Sequence, residues 1–141
     1  MLQNNFHNQK LNHLSTPPVL PVLERLKTLY KDWLQIYRNI ERTARFGIGS
    51  KIDFLFLEIL ELIRKSVYAQ INRKIVLLDE TLEKIDSLRF FFQLLWEAKL
   101  IPNKQYIEFG AEIENIGRMI GGWKKGLINK TSAQKAEERK Q

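Results

Sequence analysis

The chain of 141 residues contains no cysteine, and both of its histidines, His7 and His13, lie in a polar N-terminal stretch. Without cysteine, neither a disulfide framework nor a thiolate metal site is possible. Without histidine after residue 13, the inward-facing Glu-x-x-His pairs of ferritin-like bundles and a nucleophile activated by histidine are excluded. No phosphate-binding or dinucleotide-binding glycine motif occurs. We therefore expect no metal, no cofactor and no enzymatic activity.

Long hydrophobic runs are missing as well. No apolar stretch approaches the roughly 20 residues that span a bilayer. The first residues, Met1 to Phe6, lack the basic start and apolar stretch of a secretory signal. We therefore expect a cytoplasmic protein with no membrane partner.

Four segments repeat apolar residues in steps of three and four, the pattern of a helix with one buried face. The segments cover residues 23–40, 48–69, 78–95 and 106–127. No segment alternates with period two for long enough to predict a strand. The pattern predicts an all-α protein folded as an antiparallel up-down four-helix bundle.

Three breaks separate the predicted helices: Arg45 to Ser50, Asn72 to Lys74, and Ile101 to Asn103. We expect Ser50 and Asp53 to form a capping box at the start of the second helix. The predicted domains are a flexible N-terminal arm (1–18), the bundle (19–129) and a flexible basic C-terminal tail (130–141).

The predicted helices contain more apolar residues than one buried row on each helix requires. Phe54-Leu55-Phe56-Leu57 points in all directions around the second helix, and Phe90-Phe91-Phe92 covers about 200° of the third. The excess predicts a subunit interface in a homo-oligomer, while a wide core remains the alternative. The residues assigned to the interface are Leu29, Ile36, Phe54, Phe56, Ile63 and Phe91.

The formal net charge is +7, and the pI is near 9.7, which favours an anionic partner such as nucleic acid. Basic residues on the first predicted helix are spaced 4, 7, 4 and 3. That spacing predicts one cationic row about 27 Å long that can follow phosphates. An ordinary solvated surface is the alternative. The row consists of Lys27, Lys31, Arg38, Arg42 and Arg45.

Three glycines, Gly117, Gly121 and Gly122, interrupt the last predicted helix, where each costs about 1 kcal/mol relative to alanine. We predict that they permit close packing by a neighbouring helix or a partner backbone. Arg118 and Lys125 border the resulting groove with positive charge.

Several stretches of the sequence also resemble the Avd (accessory variability determinant) family of diversity-generating retroelements. The resemblance covers residues 20–127, and its most specific part is Ile116-Gly117-Arg118-Met119-Ile120-Gly121-Gly122-Trp123. The other matching stretches are Leu20-Pro21-Val22 through Tyr30 and Trp33, the turn from Arg45 to Ile52, Leu82 to Arg89, and Tyr106.

The resemblance implies a non-enzymatic accessory protein that forms a positively charged pentameric barrel of four-helix bundles. Its implied partners are a retroelement reverse transcriptase, template-repeat RNA and complementary DNA (cDNA), and its implied role is mutagenic retrohoming. A related alternative is the ribosomal RNA intervening-sequence type of bundle, a protein-interaction module without a reverse transcriptase. The candidate binding residues are Lys27, Lys31, Arg38, Arg42, Arg45, Lys51, Arg118, Lys124 and Lys125.

Overall fold

The computed structural model describes residues 19–140, and the predicted N-terminal arm lies outside the described residues. Four long helices and no strand occur in this part of the chain. Each helix packs against the next along the chain, and the last packs back against the first. This arrangement confirms the predicted all-α four-helix bundle. The helices are α1 (Val19–Asn39), α2 (Ser50–Tyr68), α3 (Ile71–Glu97) and α4 (Asn103–Lys140).

One aromatic ring from each helix meets at the centre of the core. Trp33 of α1 lies 6.2 Å from Phe56 of α2, between ring centroids, and Phe92 of α3 stacks on Phe109 of α4 at 4.3 Å. Phe56 and Phe109 close the cluster edge to face at 5.7 Å. Because the rings come from all four helices, the cluster joins them. Each aromatic pair contributes about 0.5–1.5 kcal/mol beyond the burial of its surface.

Four residues assigned to a subunit interface belong to the core of the subunit itself. Leu29, Ile36, Phe56 and Ile63 are all buried among the residues of the central cluster. Side chains that are at most 9% exposed offer little surface to a second subunit, so this part of the assignment is wrong. The physical reason is that each helix of a bundle packs against two neighbours, which requires a wider apolar face than a single row.

The connection between α1 and α2 is helical rather than an open loop. A short helical turn, Arg42–Ala44, leads into a five-residue π-helical turn, Arg45–Gly49, and this continues directly into α2. Ser50 therefore already has helical backbone angles, φ −62° and ψ −40°. The predicted capping box is wrong, because Asp53 instead accepts a hydrogen bond from Trp33 Nε1 at 3.2 Å.

The other two connections are short. Ala69 and Gln70 are extended and separate α2 from α3, three residues before the predicted break at Asn72. The α3–α4 connection lies where the sequence predicted it, because α4 begins at Asn103, directly after Pro102. The C-terminus of α3 is closed by two backbone bonds, Lys99 N–H to Trp96 O at 2.9 Å and Leu100 N–H to Leu95 O at 3.1 Å, a Schellman motif.

Helix α4 continues 11 residues past the boundary predicted at residue 129, so the tail is helical as far as Lys140. Glycine and proline are absent after Gly126, and most of the following residues favour helix. A helix already nucleated in the bundle extends at little further cost, which explains the difference. Within residues 19–140, no helix is long and apolar enough to span a membrane.

Candidate nucleic-acid interface

Three basic residues of α1 form an exposed face on one side of the bundle. Lys27, Lys31 and Arg38 are exposed and cover about 17 Å along the helix. Arg25 donates to Glu112 of α4 at 2.8 Å, and Lys27 lies about 200° around the helix from Arg25. The basic face of α1 therefore points away from α4.

The partners of these cations differ. Lys27 Nζ lies 3.2 Å from the carboxylate of Glu24, one turn earlier on the same helix. Lys31 and Arg38 form no ion pair with any residue in the described part of the chain. Both side chains are consequently available to an anionic partner.

The cationic row does not continue as predicted after Arg38. Helix α1 ends at Asn39, and Arg42 is exposed on the separate turn that follows. Arg45 is half-buried, and its Nε atom is buried without a hydrogen-bond partner among residues 19–140. Its backbone carbonyl accepts a hydrogen bond from the hydroxyl of Tyr37 at 3.3 Å, which holds the turn against α1. The continuous 27 Å row is therefore wrong, because the helix that would carry it ends too early.

The other candidate cations lie outside α1, and two of them make ion pairs within the subunit. Arg118 pairs with Glu114 along α4 at 2.9 Å, and Lys124 pairs with Asp79 of α3. The ammonium group of Lys51 lies 5.8 Å from the ring centroid of Phe91, within the range of a cation–π interaction. Exposed Lys125 has no acidic partner in the stretch from residue 19 to residue 140.

The glycines of α4 do not permit close packing within the subunit. A Cβ atom added at Gly117 would lie 3.7 Å from Ile85 Cγ2, an ordinary contact distance, and one added at Gly121 or Gly122 would meet nothing within 4 Å. The predicted role is therefore wrong for contacts inside the bundle. The glycines leave a shallow strip on α4, next to Arg118.

Exposed aromatic side chains mark a second surface. Phe54 of α2 is 58% exposed and Phe90 of α3 is 63% exposed. Phe91 is half-buried and contacts Phe90 edge to face at 5.2 Å between centroids. Phe54 and Phe91 are among the predicted interface residues. Phe90 is not, although it lies in the same run of three phenylalanines.

Helix α1 is acidic on the side that faces α4. A groove of about 660 Å³ runs between the two helices. Its apolar floor includes Leu29 and Phe109, and its rims carry carboxylates. Arg25 also lines the groove and pairs with Glu112, and Glu24 pairs with Lys27 of the basic face, so acidic residues predominate along the groove without being confined to it. The carboxylates are those of Glu24, Asp32, Glu108 and Glu112.

One polar cluster is partly buried between α1 and α2. Burial, together with a hydrogen bond to Asp53 and the negative charge of that carboxylate, raises the pKa of Tyr30 to about 12. Asp53 also accepts the hydrogen bond of Trp33, so it connects two α1 side chains to α2. In residues 19–140, no three acidic or histidine side chains are grouped so as to hold a metal ion. The hydrogen bonds of this cluster connect α1 to α2.

A solved structure shares the fold. It is a protein of unknown function from the S23 ribosomal protein family of Bacteroides thetaiotaomicron, with a TM-score of 0.71 and 17% sequence identity. The match covers 77% of this chain and 98% of that protein. Among curated proteins, none matches the chain significantly.

Comparison with known protein families gives a match over most of the bundle. The model of the bAvd-like family matches residues 20–127, which include the four packed helices and end before the C-terminal part of α4. This range is the one over which the sequence resembles Avd. The chain therefore belongs to the bAvd-like family.

Proposed function

We propose that this protein is a non-enzymatic accessory protein of a diversity-generating retroelement. In this role it binds the retroelement reverse transcriptase together with template RNA and cDNA, and supports mutagenic retrohoming. The observation that carries the proposal is the bAvd-like match over residues 20–127. The basic face of α1 supports it, because exposed cations without acidic partners attract polyanions.

The basic face supplies the physical mechanism. Lys31 and Arg38 lie about 10 Å apart along α1, and Arg42 follows on the next turn. Contacts of this kind release condensed counterions from the nucleic acid, so affinity falls steeply with salt and depends little on base sequence. Reverse transcriptase and RNA both remain candidate ligands of this face.

Self-association is the second part of the proposal. Phe54, Phe90 and Phe91 place aromatic surface toward solvent, which favours burial against another copy of the chain. In a closed ring, each subunit contributes one basic face, and repeated weak contacts add up to higher avidity. We propose a homo-oligomer of this kind, with the pentamer of the Avd resemblance as the expected state.

An alternative function is that of a protein-interaction module of the ribosomal RNA intervening-sequence type, without a reverse transcriptase. The exposed rings of Phe54 and Phe90 support it, and the S23-family structure shares the fold alone. The genes next to the coding sequence separate the two hypotheses. A reverse transcriptase gene and imperfect repeats support the accessory role, and their absence supports the interaction module.

The binding test changes three charges on the basic face. We expect a variant with Lys31→Glu, Arg38→Glu and Arg42→Glu to lose about tenfold or more in affinity for template RNA, for the reverse transcriptase, or for both. Fluorescence anisotropy with labelled RNA and pull-down of the reverse transcriptase measure the two affinities. The matched control carries Arg89→Glu, Lys99→Glu and Lys104→Glu, with the same change of net charge. Equal affinity in both variants would reject the basic face as the binding surface.

A further inference from the structure

The C-terminal part of α4 lies beyond the family match and carries basic side chains into solvent. The match ends at residue 127, Leu127 is the last residue of α4 packed against the core, and the helix continues to Lys140. Every residue from 132 to 140 is exposed. This polar helix end has no packing partners in the described structure, so its side chains add little to the stability of the bundle. Binding of an anionic ligand would give its basic side chains a role.

The register of α3 and α4 brings these side chains near the start of α3. Lys124 pairs with Asp79, and the two helices run in opposite directions. Arg73 and Lys74, six and five residues before Asp79, are therefore level with residues 130 and 129 of α4. Beyond residue 132, α4 extends about 12 Å past the first residue of α3.

Two basic residues of this extension lie on the side of α4 that faces α3. Lys135 follows Lys124 by 11 residues, close to three whole turns, and Arg139 follows Lys135 by four. Their side chains therefore share the face that Lys124 uses to reach Asp79. Glu138 lies on the same face, three residues after Lys135, so the two cations exceed it by one charge. We name Arg73, Lys74, Lys135 and Arg139 the basic pole.

The cations of the basic pole have no acidic partners in residues 19–140, because none of the ion pairs there involves them. Arg73 and Lys74 also lie in the first turns of α3, which contain no acidic residue and whose Gln70 cap makes no side-chain hydrogen bond. Positive side chains at a helix N-terminus oppose the helix dipole, and a bound anion relieves this repulsion.

We infer that the basic pole binds the phosphate backbone of single-stranded RNA. Its four cations extend over about 15 Å, from the level of residue 129 to residue 139. At about 3.4 Å per phosphate, the rise of one strand in a stacked duplex, this length matches about four phosphates at most, and fewer along a more extended single strand. Exposed Val76 and Ile128 lie beside these cations on α3 and α4. The choice of a nucleic-acid backbone therefore rests on charge, because four cations without acidic partners among residues 19–140 complement a polyanion. The inference rests on the proposed function and assigns RNA to a surface other than the basic face of α1.

The test neutralises the pole in the full-length protein. The variant carries Arg73→Gln, Lys74→Gln, Lys135→Gln and Arg139→Gln. The matched control carries Lys84→Gln, Arg89→Gln, Lys99→Gln and Lys104→Gln, which lie outside both the basic pole and the basic face of α1. Glutamine keeps helix propensity, and circular dichroism checks that both variants fold. We expect the pole variant to bind template RNA about tenfold more weakly than the control, with the log–log salt slope reduced by about 3.

Three results separate the pole from the wider proposal. If the pole and control variants lose equal RNA affinity, only net charge matters and the pole inference is wrong. The inference is also wrong if the pole variant keeps RNA affinity and loses reverse transcriptase, because the pole is then a protein-binding surface. If the wild-type protein binds neither ligand, the proposed function itself fails.

Discussion

At the scale of single residues, the structure shows where the chain accepts unfavourable local conformations. Lys99 has a φ angle of 62°, which is the one positive φ among the described non-glycine residues. Its position terminates α3 in the Schellman motif, where glycine is preferred because it has no Cβ atom. Gly49 is required for a different reason, since a Cβ atom there would lie 2.8 Å from Tyr37 Cε2.

Replacing Lys99 by glycine should stabilise the protein. We expect Lys99→Gly to raise the free energy of unfolding by about 1 kcal/mol, because the left-handed conformation costs a residue with Cβ about that much. Lys99→Ala is the control, since alanine removes the lysine side chain but keeps Cβ. Chemical denaturation measures both variants, and equal stability of the two would contradict the backbone explanation.

Because the pKa of Tyr30 is raised on folding, the free energy of unfolding depends on pH between pH 10 and about pH 12. Folding raises this pKa from 10.0 to about 12, so the folded state retains a proton that the unfolded state releases. The stabilising contribution is complete below pH 10 and is lost as the pH rises toward 12. Denaturation midpoints across this range should therefore fall more steeply for wild type than for Tyr30→Phe. Identical curves would show that Tyr30 titrates normally.

At the scale of helices and connections, the sequence predicted what periodicity determines and failed where tertiary contacts decide. The apolar steps of three and four located all four helices. Periodicity did not show that Asp53 would bind Trp33 instead of capping α2, because that contact joins residues 20 positions apart. The nature of the Arg45–Gly49 turn depends in the same way on Tyr37, which packs against it from α1.

The turn between α1 and α2 should tolerate substitution at one glycine and not at the other. We expect Gly49→Ala to destabilise the protein by about 1–3 kcal/mol, because the new methyl group overlaps Tyr37 and lies 3.2 Å from the carbonyl oxygen of Ala44. Gly47→Ala is the matched control, since a Cβ atom there meets nothing within 4 Å. Thermal unfolding measures the difference, and equal melting temperatures would argue against this close approach.

Prediction of the candidate site from the sequence was limited in the same way, because tertiary contacts decide which cations lie together. Spacing identified the cations of α1 that share one face, Lys27, Lys31 and Arg38, but it could not show that the helix ends at Asn39. The basic pole was missed because its members come from two helices about 60 residues apart, and only the packing of α3 on α4 brings them together. Composition alone indicated a basic protein without locating these charges.

At the scale of the whole molecule, the bundle separates a sealed core from surfaces available for binding. The central rings of Trp33, Phe56, Phe92 and Phe109 hold the four helices, and the exposed rings of Phe54 and Phe90 contribute nothing to that core. Charge is also distributed unevenly, with exposed basic residues on the outer side of α1 and mainly acidic residues, together with Arg25, along its groove with α4. The proposed scaffold role would use both the exposed aromatic side chains and the exposed basic side chains of the subunit.

Exposed aromatic residues should control the oligomeric state. We expect the wild-type protein to be a homo-oligomer at micromolar concentration, and Phe54→Ser with Phe90→Ser to shift the mass toward the monomer because these rings lose their buried partner. Helicity should not change, since both side chains are exposed. Tyr68→Ser is the control, at a side chain 88% exposed. Sedimentation velocity measures the masses, and an unchanged mass in the double variant would exclude this surface.

The central claim is that the protein works by binding nucleic acid and polymerase through clustered cations. It is tested most directly by titrating the wild-type protein with template RNA and with the reverse transcriptase at two salt concentrations. We expect binding to both, with RNA affinity falling by at least about tenfold between 50 mM and 200 mM salt. Absence of binding to both ligands at the lower salt concentration would contradict it.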